Sequence, residues 1–203
     1  VKPAGAGIVS QAGRFIPSGR EYLGETEILL YDNITSLSAS ARINIFAVVN
    51  SEDNYRELSD GESFNIILRP NCVNARTEIY LEKQKVGNAK KQLISGNVSY
   101  TLFGDIFRIS YNSSSALPGD SLITPASLEL FSSKDIRSGL GNKKVGFFDI
   151  KQKRWYVISN TIEAETGFSA GSVSKFGDYG IMTENLPLGF RHAAVLPSPF
   201  SPE

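Results

Sequence analysis

KVGFFDIKQKRWYVISNTIEAETGFSAGSVSKFGDYGIM, residues 144–182, reads as strand, turn, tryptophan-bearing strand, turn and closing strand. No acid, base or ligand cluster interrupts it. Outward from this stretch the same pattern recurs. Ile43, Ile45, Ala47 and Val49 alternate along the chain, as do Phe64, Ile66 and Leu68, then Val98, Tyr100 and Leu102, then Phe107, Ile109 and Tyr111. A period of two places one side of a strand in a core and the other in solvent. The breaks carry turn chemistry: Ser-Asp-Gly at 59–61, Pro-Gly-Asp at 118–120, Gly-Leu-Gly at 139–141 and Thr-Gly at 166–167. Many short strands between such turns predict an all-β, mostly antiparallel β-sandwich over residues 1–190. Two sub-sandwiches split near 72–96 are an alternative division. Helix signals are nearly absent; the stretch Ser18–Glu25 holds two glycines and reads as a loop with one turn.

At 203 residues the chain is long enough to bury a stable core. Lys+Arg and Asp+Glu each total 21, and the zero net charge argues against nucleic acid, which needs a concentrated basic surface. No apolar run is long enough to span a bilayer as a helix, so no membrane insertion by this segment is expected. A single cysteine, Cys72, excludes an internal disulfide and a thiolate metal cluster. From Leu196 the sequence LPSPFSPE breaks any sheet with Pro197, Pro199 and Pro202, so residues 191–203 are expected to be a connector towards a further module.

Three segments in order resemble a known pattern. Gly13-Arg14-Phe15-Ile16-Pro17 followed by Gly24-Glu25-Thr26-Glu27-Ile28 is similar to a glycine, an "IP" strand and a "DT-x-I" strand opening. Phe103 with Ile106-Phe107-Arg108-Ile109-Ser110-Tyr111 resembles the middle strand of that pattern. Leu128-Glu129-Leu130-Phe131, Arg154-Trp155-Tyr156-Val157 and Ser174-Lys175-Phe176-Gly177-Asp178-Tyr179-Gly180-Ile181 resemble its ending. Together they resemble the β-sandwich domains of zona-occludens and netrin-receptor type, which have relatives in bacterial surface proteins. The stretch from Tyr31 to Gly96 does not match and is expected to carry any partner-specific surface. The resemblance implies interaction and load-bearing roles. Some relatives self-cleave between Phe and Ser of the closing motif; Gly177 and Lys175 stand here in place of that Ser and of the preceding His, so no self-cleavage is expected. Pro197-Ser198-Pro199-Phe200-Ser201-Pro202 resembles the entry into Ig-like modules of FlgD type.

Chemistry-bearing residues are few. Trp155 follows Lys151, Lys153 and Arg154, a pattern compatible with an exposed aromatic platform for sugar; in the resembled pattern the Trp packs into the sandwich. His192 is the only histidine and lacks the partners that triad or metal chemistry needs. Cys72 has no histidine near it in sequence to activate a thiol. Glu52, Asp53, Glu57 and Asp60 are the carboxylates from which a calcium site would be built, but no DxDxDG string occurs. Asn33, Asn97 and Asn112 open N-glycosylation sequons.

The expectation is therefore a non-enzymatic, cofactor-free structural or interaction module of an extracellular bacterial cell-surface protein. It would contact neighbouring domains or copies through shape and strand edges. The alternative is a carbohydrate-binding module presenting Trp155, Tyr156 and Tyr179 to polysaccharide.

Overall fold

The computed structural model describes residues 6–12, 14–17, 21–85, 92–95, 98–131, 143–158, 162–163 and 168–185. They form strands joined by turns, with a single 3-10 turn at Pro118–Asp120. The fold is all-β, with antiparallel sheets packed face to face as a sandwich, as the period-two runs predict.

One sheet has seven strands: β6 (Ala47–Val49), β9 (Thr77–Lys85), β10 (Gln92–Ser95), β11 (Val98–Ser113), β13 (Lys143–Asp149), β14 (Arg154–Val157) and β17 (Gly177–Asn185). Their order is β14-β13-β17-β11-β9-β6, with β10 paired to the start of β11. The second sheet has six: β3 (Glu21–Tyr22), β7 (Arg56–Ser59), β8 (Phe64–Leu68), β12 (Ser121–Phe131), β15 (Ile162–Glu163) and β16 (Phe168–Lys175). Its order is β15-β16-β12-β8-β7-β3, and only the β3–β7 pair is parallel among the described strands. Two smaller antiparallel pairs stand apart, β1 (Gly7–Val9) with β2 (Phe15–Pro17) and β4 (Gly24–Tyr31) with β5 (Ser38–Ile45).

The main core lies between the two large sheets. Phe64, Ile66, Leu68, Leu128, Leu130 and Val173 come from one side; Ile79, Leu81, Phe107, Ile109, Val145, Tyr179 and Ile181 come from the other. Phe64 meets Phe107 across the gap with ring centroids 5.6 Å apart, an offset contact of the kind aromatic quadrupoles favour.

The seven-stranded sheet is apolar on its outer face as well. Leu102, Trp155 and Met182 form a second buried cluster, with Tyr100, Ile106, Phe148 and Val157 packed around it. Two facing glycines make room for it. Gly146 and Gly180 pair across β13 and β17. A Cβ on Gly146 would sit 2.3 Å from Met182 Cε, and one on Gly180 would sit 2.7 Å from Leu102 Cδ1. The bare backbone is thus the floor on which the side chains of Leu102, Met182 and Trp155 lie.

Several sequence expectations are refined. Ile43 to Val49 reads as one strand but is two: β5 pairs with β4, and β6 pairs with β9 in the large sheet. Val98 to Tyr111 reads as two strands but is one, interrupted by a bulge where Phe103 pairs with Ile181 and Ile106 with Gly180. Gly104, at φ +68°, takes the left-handed conformation inside that bulge. The two residues inserted there preserve parity, so Leu102 and Ile106 stay on the outer face and Phe107 on the inner. The loop expected over Ser18–Glu25 is strand in its described part, Glu21–Tyr22 and from Gly24 on. Turns at 59–61 and 118–120 stand where predicted, with Gly61 and Gly119 at positive φ. The turns at 139–141 and 166–167 and the connector 191–203 lie outside the described residues. β9, which falls inside the alternative division near 72–96, runs between β6 and β11 within the large sheet.

Tyr22 shows how burial couples this fold to pH. Its hydroxyl donates to the Glu25 carbonyl at 3.1 Å, beside Asp60 and Glu62. Burial first, and then those carboxylates, push its pKa up to about 12 from an ordinary 10.0. Burial raises Tyr179 in the same direction. A raised folded-state pKa contributes stability that is present below the unfolded value and lost as pH rises through the folded one. Denaturant midpoints are therefore expected to fall progressively between about pH 10 and pH 12, and Tyr22→Phe to flatten part of that fall; equal slopes for both chains would contradict this.

Candidate functional site

Two features of the described residues stand out: a cleft between the sheets at the β13–β14 end, and an arm at the opposite side of the sequence pattern.

The cleft grows from one cross-strand row. Tyr156 pairs with Phe147, Phe147 with Tyr179, and Tyr179 with Phe107, giving four aromatic residues side by side on the inner face of β14, β13, β17 and β11. Phe147 and Tyr179 rings lie 5.1 Å apart. The row runs from fully buried Phe107 to half-buried Tyr156, so its outer end opens into a cavity of about 380 Å³. Val173 of β16 closes the far side.

Polar groups crowd the mouth. Asp149 ends β13, and its Oδ1 accepts the backbone N–H groups of Lys151 and Gln152, which shapes the tight β13–β14 turn. Lys153 completes that turn at φ +51°. The Tyr156 hydroxyl donates to Gln152 Oε1. Lys175 places its ammonium 5.8 Å from the Phe147 ring centroid, and the Arg154 guanidinium lies 5.9 Å from that of Tyr156. A shallower hollow continues past Asp149 and Lys175 towards Gly119, Asp120 and Phe176.

The three aromatics nominated from sequence do not form an exposed, coplanar platform. Trp155 is 7% exposed and faces the outer cluster, 5.5 Å from Phe148 and tilted by 49°. Tyr179 is 1% exposed, and its hydroxyl donates back to the Lys175 carbonyl. Tyr156 points the other way from Trp155, as strand alternation requires, and lines the cleft. Strand parity thus separates Trp155 from the two tyrosines. Phe147, Asp149, Gln152 and Lys175 were not nominated from sequence as ligand-facing; the doublet Phe147-Phe148, one residue for each face of a sheet apolar on both, was the available signal.

The arm is the β4–β5 hairpin, paired without a break from Gly24–Ile45 to Tyr31–Ser38. Its turn is built by Asp32, whose carboxylate accepts from the Ile34 N–H at 2.9 Å and the Thr35 hydroxyl at 2.5 Å. Ile28, Leu30, Ala39, Ala41 and Ile43 share one face; Glu25, Glu27, Arg42 and Asn44 share the other, with Arg42 and Glu25 3.5 Å apart. Among the described residues, Gly24 and Thr26 at the base are buried and Ile28, Ile43 and Ile45 are half-buried. Leu30 is 57% exposed, Leu37 70% and Ile34 93%; Leu29 and Tyr31 are exposed on the opposite face, beyond Glu27 and Arg42.

The remaining sequence candidates have structural duties or lie elsewhere. Cys72 is buried, and burial raises its thiol pKa. Asp60 accepts three backbone N–H groups, from Glu62, Ser63 and Phe64, at the β7–β8 turn. Asp53 binds Arg56 at 2.7 Å and caps Asn50, while Glu57 accepts from Asn65, so these carboxylates do not converge. Among the described residues no group of His, Cys, Asp and Glu is placed to hold a metal ion. Asn33 sits exposed in the arm's turn, and Asn112 on β11 donates to Glu78 at 3.4 Å. His192 and Asn97 lie outside the described residues. No described helix is long and apolar enough to cross a membrane. Comparison with known proteins finds neither a family model nor a curated protein sequence that matches the chain.

Proposed function

We propose that this chain is a non-catalytic structural and interaction module of an extracellular bacterial surface assembly, and that the β4–β5 arm is the element by which it contacts a neighbouring copy. The observation that carries this reading is the arm's uncovered apolar side. A two-stranded hairpin is at best marginally stable alone in water, and contiguous exposed apolar residues mark contact surfaces. The arm's turn and β5 fall inside the stretch from Tyr31 to Gly96, where partner-specific surface is expected, while β4 begins in the stretch Gly24–Ile28 that resembles the zona-occludens and netrin-receptor pattern.

The apolar face is self-complementary, so two arms related by a two-fold axis would each cover the other. Eight residues at about 3.4 Å each, two strands wide, give a face on the order of 250 Å². A stable interface takes about 800 Å² from each partner. A single arm contact is therefore weak, and becomes firm only where many copies are held close together, as in a surface array. Residues 24–46 carry Glu25, Glu27 and Asp32 against one cation, Arg42, which disfavours an anionic lipid surface as the occupant.

The test is sedimentation of the full chain over rising concentration. Weak, reversible self-association is expected, and the triple change Leu30→Asp, Ile34→Asp, Leu37→Asp is expected to abolish it while leaving the thermal midpoint unchanged. A wild-type chain that stays monomeric to about 1 mM, equivalent to less than about 4 kcal/mol of attraction, contradicts the reading. So does arm-dependent capture by phosphatidylcholine vesicles in its place.

A further inference from the structure

We propose that the inter-sheet cleft ending the Tyr156–Phe147–Tyr179 row is a binding site for a neutral saccharide. It stands on residues remote in sequence from the arm, so either reading can fail without the other.

Size and shape come first. A cavity of about 380 Å³ falls in the range of small-molecule sites, and its depth is apolar while its mouth is polar. The half-buried ring of Tyr156 and the partly buried ring of Phe147 supply flat apolar walls. A pyranose is matched to such a site: its C–H faces are apolar, and its hydroxyls project around the edge. Aromatic π-faces carry negative potential and attract the weakly positive C–H groups.

The polar groups fit the same ligand. Each sugar hydroxyl both donates and accepts, so a site for it needs both kinds of partner. Asp149 Oδ2 is an acceptor that makes no hydrogen bond among the described residues, Oδ1 being taken by the turn. The Gln152 amide uses its oxygen on Tyr156, which leaves its NH₂ group as a donor at the mouth. Lys175 adds an ammonium that forms no ion pair among the described residues, although Asp149 lines the same cleft. The lining itself holds one acid and one base, Asp149 and Lys175, and Arg154 stands at the rim against Tyr156; the balance within the lining suits an uncharged polyol better than phosphate or an amine. The Tyr156–Gln152 bond also fixes the orientation of the amide before any ligand arrives, and such preorganisation lowers the entropy lost on binding.

The experiment is an amide NMR titration of the full chain with maltohexaose, cellohexaose and chitohexaose as separate probes. At least one is expected to shift the amides of Asp149, Gln152, Tyr156 and Lys175 with a Kd of about 1 mM or tighter. Gln152→Ala, at an exposed turn position, is expected to weaken that response about tenfold or more without altering the rest of the spectrum. Tyr156→Ala should abolish it, and the turn variant keeps the test decisive if that protein fails to fold. No shift at these four amides with any of the probes at about 10 mM overturns the proposal. Shifts confined to other surfaces overturn it too, as does a response to glycylglycine, a zwitterion, with none to the sugars.

Discussion

Trp155→Ala is expected to destabilise the folded chain by about 3–5 kcal/mol, read as a lowered denaturant midpoint. The indole covers the outer face of the seven-stranded sheet, where the Gly146–Gly180 pair leaves bare backbone. A Cβ on Gly180 would stand 3.7 Å from Trp155 Cη2 and 2.7 Å from Leu102 Cδ1, which measures how closely the cluster lies on the strand. The two glycines beneath offer no side chain to fill the space the indole leaves, and Leu102, Met182 and Phe148 around it can refill it only in part. Trp155→Phe, which keeps a ring against Phe148, should recover most of the loss. A change below about 1 kcal/mol for the alanine variant would mean that the outer cluster contributes little to the fold.

Tyr179→Ala is expected to cost about as much, 3–5 kcal/mol, for a different reason. Between Lys175 and Gly177 the chain leaves one sheet and enters the other. Gly177 makes the turn at φ +148°, with the Phe147 ring 2.9 Å from where its Cβ would be. Tyr179 pins this crossing twice: its ring fills the core beside Phe147 and Phe107, and its hydroxyl donates to the Lys175 carbonyl. The two contributions can be separated. Tyr179→Phe removes only the hydrogen bond and is expected to cost about 1 kcal/mol, near the net worth of one such bond. Equal losses for the two variants would contradict this division and place the effect in the hydroxyl alone.

The parts of the fold legible in the sequence are those where local pattern and tertiary burial agree. Phe64, Ile66 and Leu68 alternate in sequence and are all buried on one face. The same holds for Phe107 and Ile109. Sequence period fails where a strand changes partner or where both faces are covered. Ile43 to Val49 keeps its alternation through Phe46, although the chain there passes from the arm to the large sheet. Nothing in the side-chain pattern marks a change of pairing partner, because register and partner are set by distant strands. The Trp155–Tyr156 pair shows the second failure: both residues look alike as ligand-facing aromatics, and one residue of strand advance sends them to opposite sides of the sheet. The arm was half visible. Its first strand begins in the matched stretch Gly24–Ile28 and its turn and second strand follow in the unmatched one, but neither position announces its exposure. Leu29, Leu30 and Tyr31 have the composition of a core strand, yet among the described residues β4 pairs with β5 alone, which leaves them at the surface.

The arm, and not the body of the sandwich, is the proposed contact with a neighbouring copy. The most direct measurement is amide NMR of the full chain at rising protein concentration. Resonances of residues 28–31 and 38–43 should shift or broaden together and return on dilution, while those of β8, β9 and β12 stay fixed. Arm resonances that hold still throughout, or changes confined to the body, would contradict the claim.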